Sequence, residues 1–167
     1  MMLILTLITT VDALPPEAGY ALRRGDCSSA LASLPEPEND IGKLAAGRCH
    51  LRMGNGEEAL GFLLEIGEPY REHAALFAAE AELLLQNPGG AERLLDGIAG
   101  GYLQEQARLL RAKALIETEE YVKARDILRM LLNGSLGAQG YVPPAGGVDP
   151  GEVRWLLAEA ARLRGAP

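Results

Sequence analysis

Few residues of this chain combine the type and spacing that covalent or metal chemistry requires. Its two histidines, His50 and His73, are too few for most metal sites, and neither stands in a His-Glu-x-x-His frame. The serine pair Ser28-Ser29 lacks a Gly-x-Ser-x-Gly frame and an obvious base. Glu57-Glu58 and Glu119-Glu120 flank expected helix starts, where negative charge suits the helix dipole. Gly89-Gly90 and Gly100-Gly101 are not followed by the Lys-Ser/Thr of a phosphate loop and read as helix ends. No convergent acid, base and nucleophile can be named, so the expectation is a non-enzyme with no catalytic residue, no metal and no cofactor.

Two further motifs have structural readings. Arg24-Gly25-Asp26 matches a cell-adhesion tripeptide, but its glycine falls where a first helical hairpin must turn. His50 falls inside an expected helix, where packing or lining a groove is its expected role.

The composition points to helices. Apolar residues make up 48% of the 167 but aromatics only 5%, so the core must be built from Leu and Ala, which favours close-packed helices over a sheet. A formal net charge of −7 argues against a nucleic-acid partner, whose binding would need clustered Lys and Arg. The apolar run Met1 to Val11 is too short to span a bilayer, so no stable membrane span is expected. Val11-Asp12-Ala13 offers small residues where a signal peptidase reads, so residues 1–13 are expected to be a signal peptide cleaved after Ala13. That makes the protein exported and periplasmic. No Lys or Arg precedes the run, which leaves a buried first strand or a mis-assigned start codon, and a cytoplasmic protein, as the alternative.

The elements that position these residues repeat. Ala-x-x-x-Leu recurs at Ala30/Leu34, Ala59/Leu63, Ala91/Leu95 and Ala124/Leu128, the alanines lying 29, 32 and 33 residues apart. A small residue stands twelve positions before each alanine: Ala18, Gly47, Ala79 and Ala112. Such a period marks stacked helical hairpins. The predicted first and second helices are 17–24 and 27–34, 41–53 and 57–66, 71–86 and 90–98, and 103–117 and 121–132. Turns are expected at Gly25, at Gly54-Asn55-Gly56, at Asn87-Pro88-Gly89, and, without glycine, at Thr118 to Glu120. Aliphatic pairs Leu44/Leu51, Leu76/Leu83 and Leu109/Ile116 put one apolar stripe on equivalent faces of the first helices. The helical repeats thus occupy 14–132. Residues 133–148 read as a Gly/Pro-rich loop, and 149–167 as a helix capped by Asp149 and Pro150 that either closes the array or begins a fifth repeat.

The small residue, the turn and Ala-x-x-x-Leu at fixed offsets resemble the tetratricopeptide repeat, whose pattern runs Trp-x-x-Leu-Gly-x-x-Tyr, then Ala-x-x-x-Phe, then Pro. Tyr121 and Trp155 match its helix-opening aromatics, whereas Ala21, His50, Glu82 and Leu115 replace its first-helix tyrosine. The resemblance implies an all-α protein, an α-solenoid of about four degenerate tetratricopeptide-like hairpins plus a C-terminal helix. It also implies a concave groove for a peptide or protein partner, lined by Leu51, Leu83 and Ile116 with Arg48, Arg52, Glu80 and Lys113 beside them. The alternative is that these leucines pack internally and the charges form a solvated face. A second resemblance, carried by an Ala/Leu-rich array with Gly-Asp-Cys in its first turn, is to the N-terminal superhelical region of soluble lytic murein transglycosylases. It implies peptidoglycan as the partner, but the family's catalytic Glu-Ser motif is absent from this chain.

In a hairpin array Cys27 and Cys49 take the neighbouring positions at the start of one second helix and the end of the next first helix. In an exported protein they could form a disulfide contributing about 3 kcal/mol. The alternative is two small buried thiols.

Overall fold

Side-chain acceptors and prolines set the helix starts. Asp26, Asn39, Asn87 and Asp149 each precede a helix and accept a hydrogen bond from an amide in its first turn, at 2.7–3.1 Å. Pro16, Pro88 and Pro150 occupy first positions, where a missing N–H costs nothing. The computed structural model describes residues 14–34, 36–98, 101–136 and 148–165. The chain is all-helical, 75% helix with no strand among the described residues, and its nine described helices pack together. They are α1 (Pro16–Arg23), α2 (Cys27–Ala32), α3 (Asp40–Arg52), α4 (Gly56–Leu63), α5 (Arg71–Leu84), α6 (Pro88–Leu95), α7 (Gly101–Glu117), α8 (Tyr121–Leu136) and α9 (Pro150–Arg164). The expected signal peptide and residues 137–147 of the expected loop lie outside the described residues.

Several boundaries differ from the sequence expectation for local reasons. Helix α2 stops at Ala32, because Leu34 precedes Pro35 and that position disfavours helical backbone. The third turn falls two residues earlier than expected: Asn87 caps α6 and Pro88 opens it, so Gln86 takes the left-handed conformation at φ 58°. Glu119 does the same at φ 64° in the turn without glycine, while Gly54 adopts φ 82° as its turn requires. Helix α8 continues through Asn133-Gly134-Ser135, which the sequence placed in the loop. Glycine inside a helix costs about 1 kcal/mol, and packing of α8 against α7 and α9 outweighs it.

Helices α1/α2, α3/α4, α5/α6 and α7/α8 pack as pairs, and each second helix also packs on the next first helix. First helices touch as well, α3 on α5, α5 on α7 and α7 on α9. One register explains this. The small residue of each first helix, with the residue three before it, meets its own second helix: Leu76 and Ala79 share a cluster with Ala91 and Leu95, and Leu109 and Ala112 with Leu128 and Leu131. The residues five before and two after the small one turn to the preceding pair. These are Gly42 and Cys49 in α3, Ala74 and Ala81 in α5, and Ala107 and Ala114 in α7, all buried. Ala74 and Ala81 accordingly cluster with Ala59 and Leu63 of α4.

The four alanines of the Ala-x-x-x-Leu phrase, Ala30, Ala59, Ala91 and Ala124, are all 0% exposed, and their leucines are buried too. Where α3 meets α4 the approach is tighter still, since a Cβ on Gly47 would lie 2.6 Å from Leu63 Cγ. Leu63 is among the most buried side chains and has no free space to retreat into. Gly47→Ala, and separately Ala59→Leu or Ala91→Leu, should therefore lower unfolding free energy by about 1–3 kcal/mol through overpacking. Urea denaturation followed by circular dichroism measures this. A midpoint unchanged for all three variants would contradict the close-approach account.

Candidate functional site

Helices α3, α5 and α7 bury two flanks each, and the remaining face lies open. On it two adjoining depressions of about 290 and 300 Å³ share Glu80, Leu110 and Lys113. One extends over Phe77, Gln106 and Leu109 to Glu152 of α9. The other extends over Leu51, Leu83 and Leu84 to Glu117. The floor is aliphatic and aromatic, with charge carried above it.

Those charges alternate in sign from helix to helix. The Arg48 guanidinium of α3 sits 4.8 Å from the centroid of the Phe77 ring and acts electrostatically on Glu80 of α5. Glu80 in turn feels Lys113 of α7, whose Nζ lies 2.7 Å from Glu152 Oε1 of α9. Both partners of this last pair are about one-third exposed, so the pair orients side chains more than it stabilises the fold. Although Glu80 keeps contact with solvent, its carboxylate lies against the groove wall. Desolvation there raises its pKa above the usual carboxylate range, Glu152 adds to the rise, and Lys113 and Arg48 oppose it. Desolvation raises Glu117 in the same direction.

Of the residues the sequence nominated, the structure brings Leu51, Glu80, Leu83 and Lys113 into one depression, and Arg48 joins them through Phe77; Leu83 is at the same time a core residue, 9% exposed, and Leu51 packs against the neighbouring core. Arg52 and Ile116 are not brought in. Arg52 turns toward the first pair of helices, where a Cβ on Gly25 would lie 3.4 Å from its Nη2. Ile116 packs on the core formed by Leu109, Leu128 and Val153, because one helical turn beyond Ala112 still faces α8. The sequence reading missed Phe77, Leu84, Leu110 and Glu117, each three or four residues from a nominated one and so on its helical face. Glu152 carried no such signal, since only the docking of α9 brings it near.

A cleft of about 210 Å³ lies between the first two pairs, lined by Leu22, Cys27, Leu44, Cys49 and Arg52 among others, and also by Arg48, which stands between this cleft and the Phe77 ring. Cys27 and Cys49 are free thiols here, both buried and hydrogen-bonded to each other. Burial pushes the Cys49 thiol up to about 12, with Cys27 adding to the rise and Arg52 and Arg48 opposing it. At neutral pH that thiol is not a ready nucleophile. The Arg-Gly-Asp tripeptide is occupied as structure: Gly25 turns at φ 73°, and Asp26 takes the Ser29 amide and hydroxyl at 3.0 and 2.6 Å. His50 stacks on Phe62 with centroids 5.5 Å apart.

Among the described residues no group of three or more His, Cys, Asp or Glu could hold a metal ion, and no helix is long and apolar enough to cross a membrane. No protein-family model matches the chain, and no curated protein or solved structure matches it significantly.

The raised Glu80 pKa has a direction in stability. A carboxyl that ionises less readily folded than unfolded costs nothing below both pKa values and subtracts stability as pH rises through them. Glu80→Gln should therefore raise the melting temperature at pH 7 and leave it unchanged near pH 3. Melts at both pH values read the difference, and a destabilisation at pH 7 would show that attraction to Lys113 and Arg48 dominates instead.

Proposed function

We propose that this chain is a non-catalytic, tetratricopeptide-like α-solenoid that binds an extended or helical segment of a partner protein along its first helices. The observation that supports this is the row Arg48, Glu80, Lys113 and Glu152, one charge per successive first helix in alternating sign, above the floor of Leu51, Phe77, Leu83 and Leu110. Apolar floors supply affinity, and alternating charges fix the register of what lies on them. The groove crosses helices, so its natural ligand is one that runs across several of them. The apolar run and Val11-Asp12-Ala13 support a site of action in the cell envelope.

The test is a fluorescence-anisotropy titration with labelled peptides that alternate acidic and basic residues between leucines. Binding is expected to weaken tenfold or more on Lys113→Glu and on Arg48→Glu, with helicity by circular dichroism unchanged. Arg52→Glu, directed at the other cleft, is expected to leave binding as it was. Equal loss with all three variants would mean that only net charge matters, and no loss with any would remove the groove assignment.

A further inference from the structure

Two cysteines stand where the repeat elsewhere uses other residues. Cys27 is the first residue of α2, three before Ala30, and its counterparts in α4, α6 and α8 are Gly56, Pro88 and Tyr121. Cys49 lies two beyond the small residue of α3, where α5 has Ala81 and α7 has Ala114. These positions meet across the joint between one pair and the next. A Cβ on Gly56 would lie 3.3 Å from the Ala81 carbonyl oxygen, and Cys27 and Cys49 share a cluster with Ala21 and Ala30. Glycine and alanine fill the second joint, so packing alone does not call for sulfur at the first. There the two thiols are hydrogen-bonded to each other.

The number of donors and their surroundings decide what such a pair can hold. Both sulfurs line the cleft of about 210 Å³, Cys27 with 8% of its surface exposed and Cys49 with 1%, so an ion reaches the pair from solvent by way of Cys27. Among the described residues no carboxylate, histidine or further thiol lines that cleft. A hard cation would lack oxygen donors there, and zinc would find half of the four ligands it takes. Thiolate sulfur selects soft ions, and a soft monovalent ion such as Cu(I) is satisfied by two such donors.

The charge balance agrees. Each thiol gives up its proton as its sulfur takes the ion, so two protons leave and one positive charge enters, with no change of oxidation state. The site therefore gains one net negative charge. Arg48 and Arg52 line the same cleft, act electrostatically on Cys49 and supply the compensating charge.

The geometry points to a binding site for one soft monovalent metal ion of the Cu(I) class, held between Cys27 and Cys49 with Arg48 and Arg52 as counter-charges. The site does not depend on the peptide-binding reading of the groove, and it belongs to the reduced chain. Should the two thiols instead give two electrons and two protons to an oxidant, the disulfide so formed holds no ion.

The probe is Cu(I) itself, titrated into the reduced full chain under nitrogen in competition with a chromogenic chelator. One ion per chain should leave the chelator, and native mass spectrometry should show one copper on a monomer in exchange for two protons. Alanine already fills the Cys49 position in α5 and α7, so Cys49→Ala, and likewise Cys27→Ala, should keep its helicity by circular dichroism and lose this uptake. Arg52→Met, with both thiols still counted by a thiol reagent in urea, should weaken Cu(I) binding about tenfold. Equimolar Zn(II) should not displace the copper. The proposal is overturned by no uptake, by one copper per two chains, by either alanine variant matching the parent, by an unchanged affinity in Arg52→Met, or by displacement with Zn(II).

Discussion

The close approach of two helices at a small residue is the constraint on which the rest of this molecule depends. Helix axes normally lie 8–10 Å apart, a spacing set by the side chains at the contact. At Gly47 even a methyl group would collide with Leu63, and Ala79 and Ala112 hold the equivalent place with no exposed surface. The second helix answers with an alanine and, one turn on, a leucine that fills the space beside the small residue. Each half of this contact is meaningless alone, which is why the two signals keep a fixed separation in the chain.

From that contact the division of labour on each first helix follows. One flank carries the small residue and serves the partner helix, and a second flank carries alanines such as Ala74, Ala81, Ala107 and Ala114 and serves the preceding pair. Charge is excluded from both, so it collects on the face that remains. The concentration of Arg48, Phe77, Glu80, Leu83 and Lys113 there is the residue of a packing rule applied on two sides. Aromatic scarcity fits the same picture, because helices held this close leave little room for rings in the interior.

The sequence reading was most secure where this rule operates and least where tertiary context decides. Small residues and Ala-x-x-x-Leu located eight helices, because their spacing is a direct image of the contact. Helix ends were harder, since the choice between Gln86 and Gly89 for the left-handed turn rests on which of Asn87 and Pro88 captures the helix start. The groove was legible in part: Leu51, Glu80, Leu83 and Lys113 share a face by periodicity. Ile116 has the same periodicity yet packs only on the core beside α8, whereas Leu83 belongs to the core and also lines a depression, as a shift of a few tens of degrees about the helix axis is enough to change what a residue faces. Glu152 was invisible for a different reason, because its place beside Lys113 depends on where α9 docks after a segment with no periodic signal.

The net charge of the chain says little about what the groove prefers. The whole molecule carries −7, but Arg48, Glu80, Lys113 and Glu152 sum to zero over successive helices. Beyond roughly 8–10 Å at physiological salt, screening removes the influence of the remaining acidic surface. Under the proposed function a ligand in the groove would therefore meet an alternating local field, and like-charge juxtaposition on sliding by one helix spacing would be penalised at each crossing. Desolvation of Glu80 would strengthen this selectivity, because a carboxylate held at reduced hydration gains more from a correctly placed cation than one in bulk water. Under the proposed function such a surface would discriminate by the order of charges along the ligand, and a simple polyanion or polycation would gain at one helix what it lost at the next.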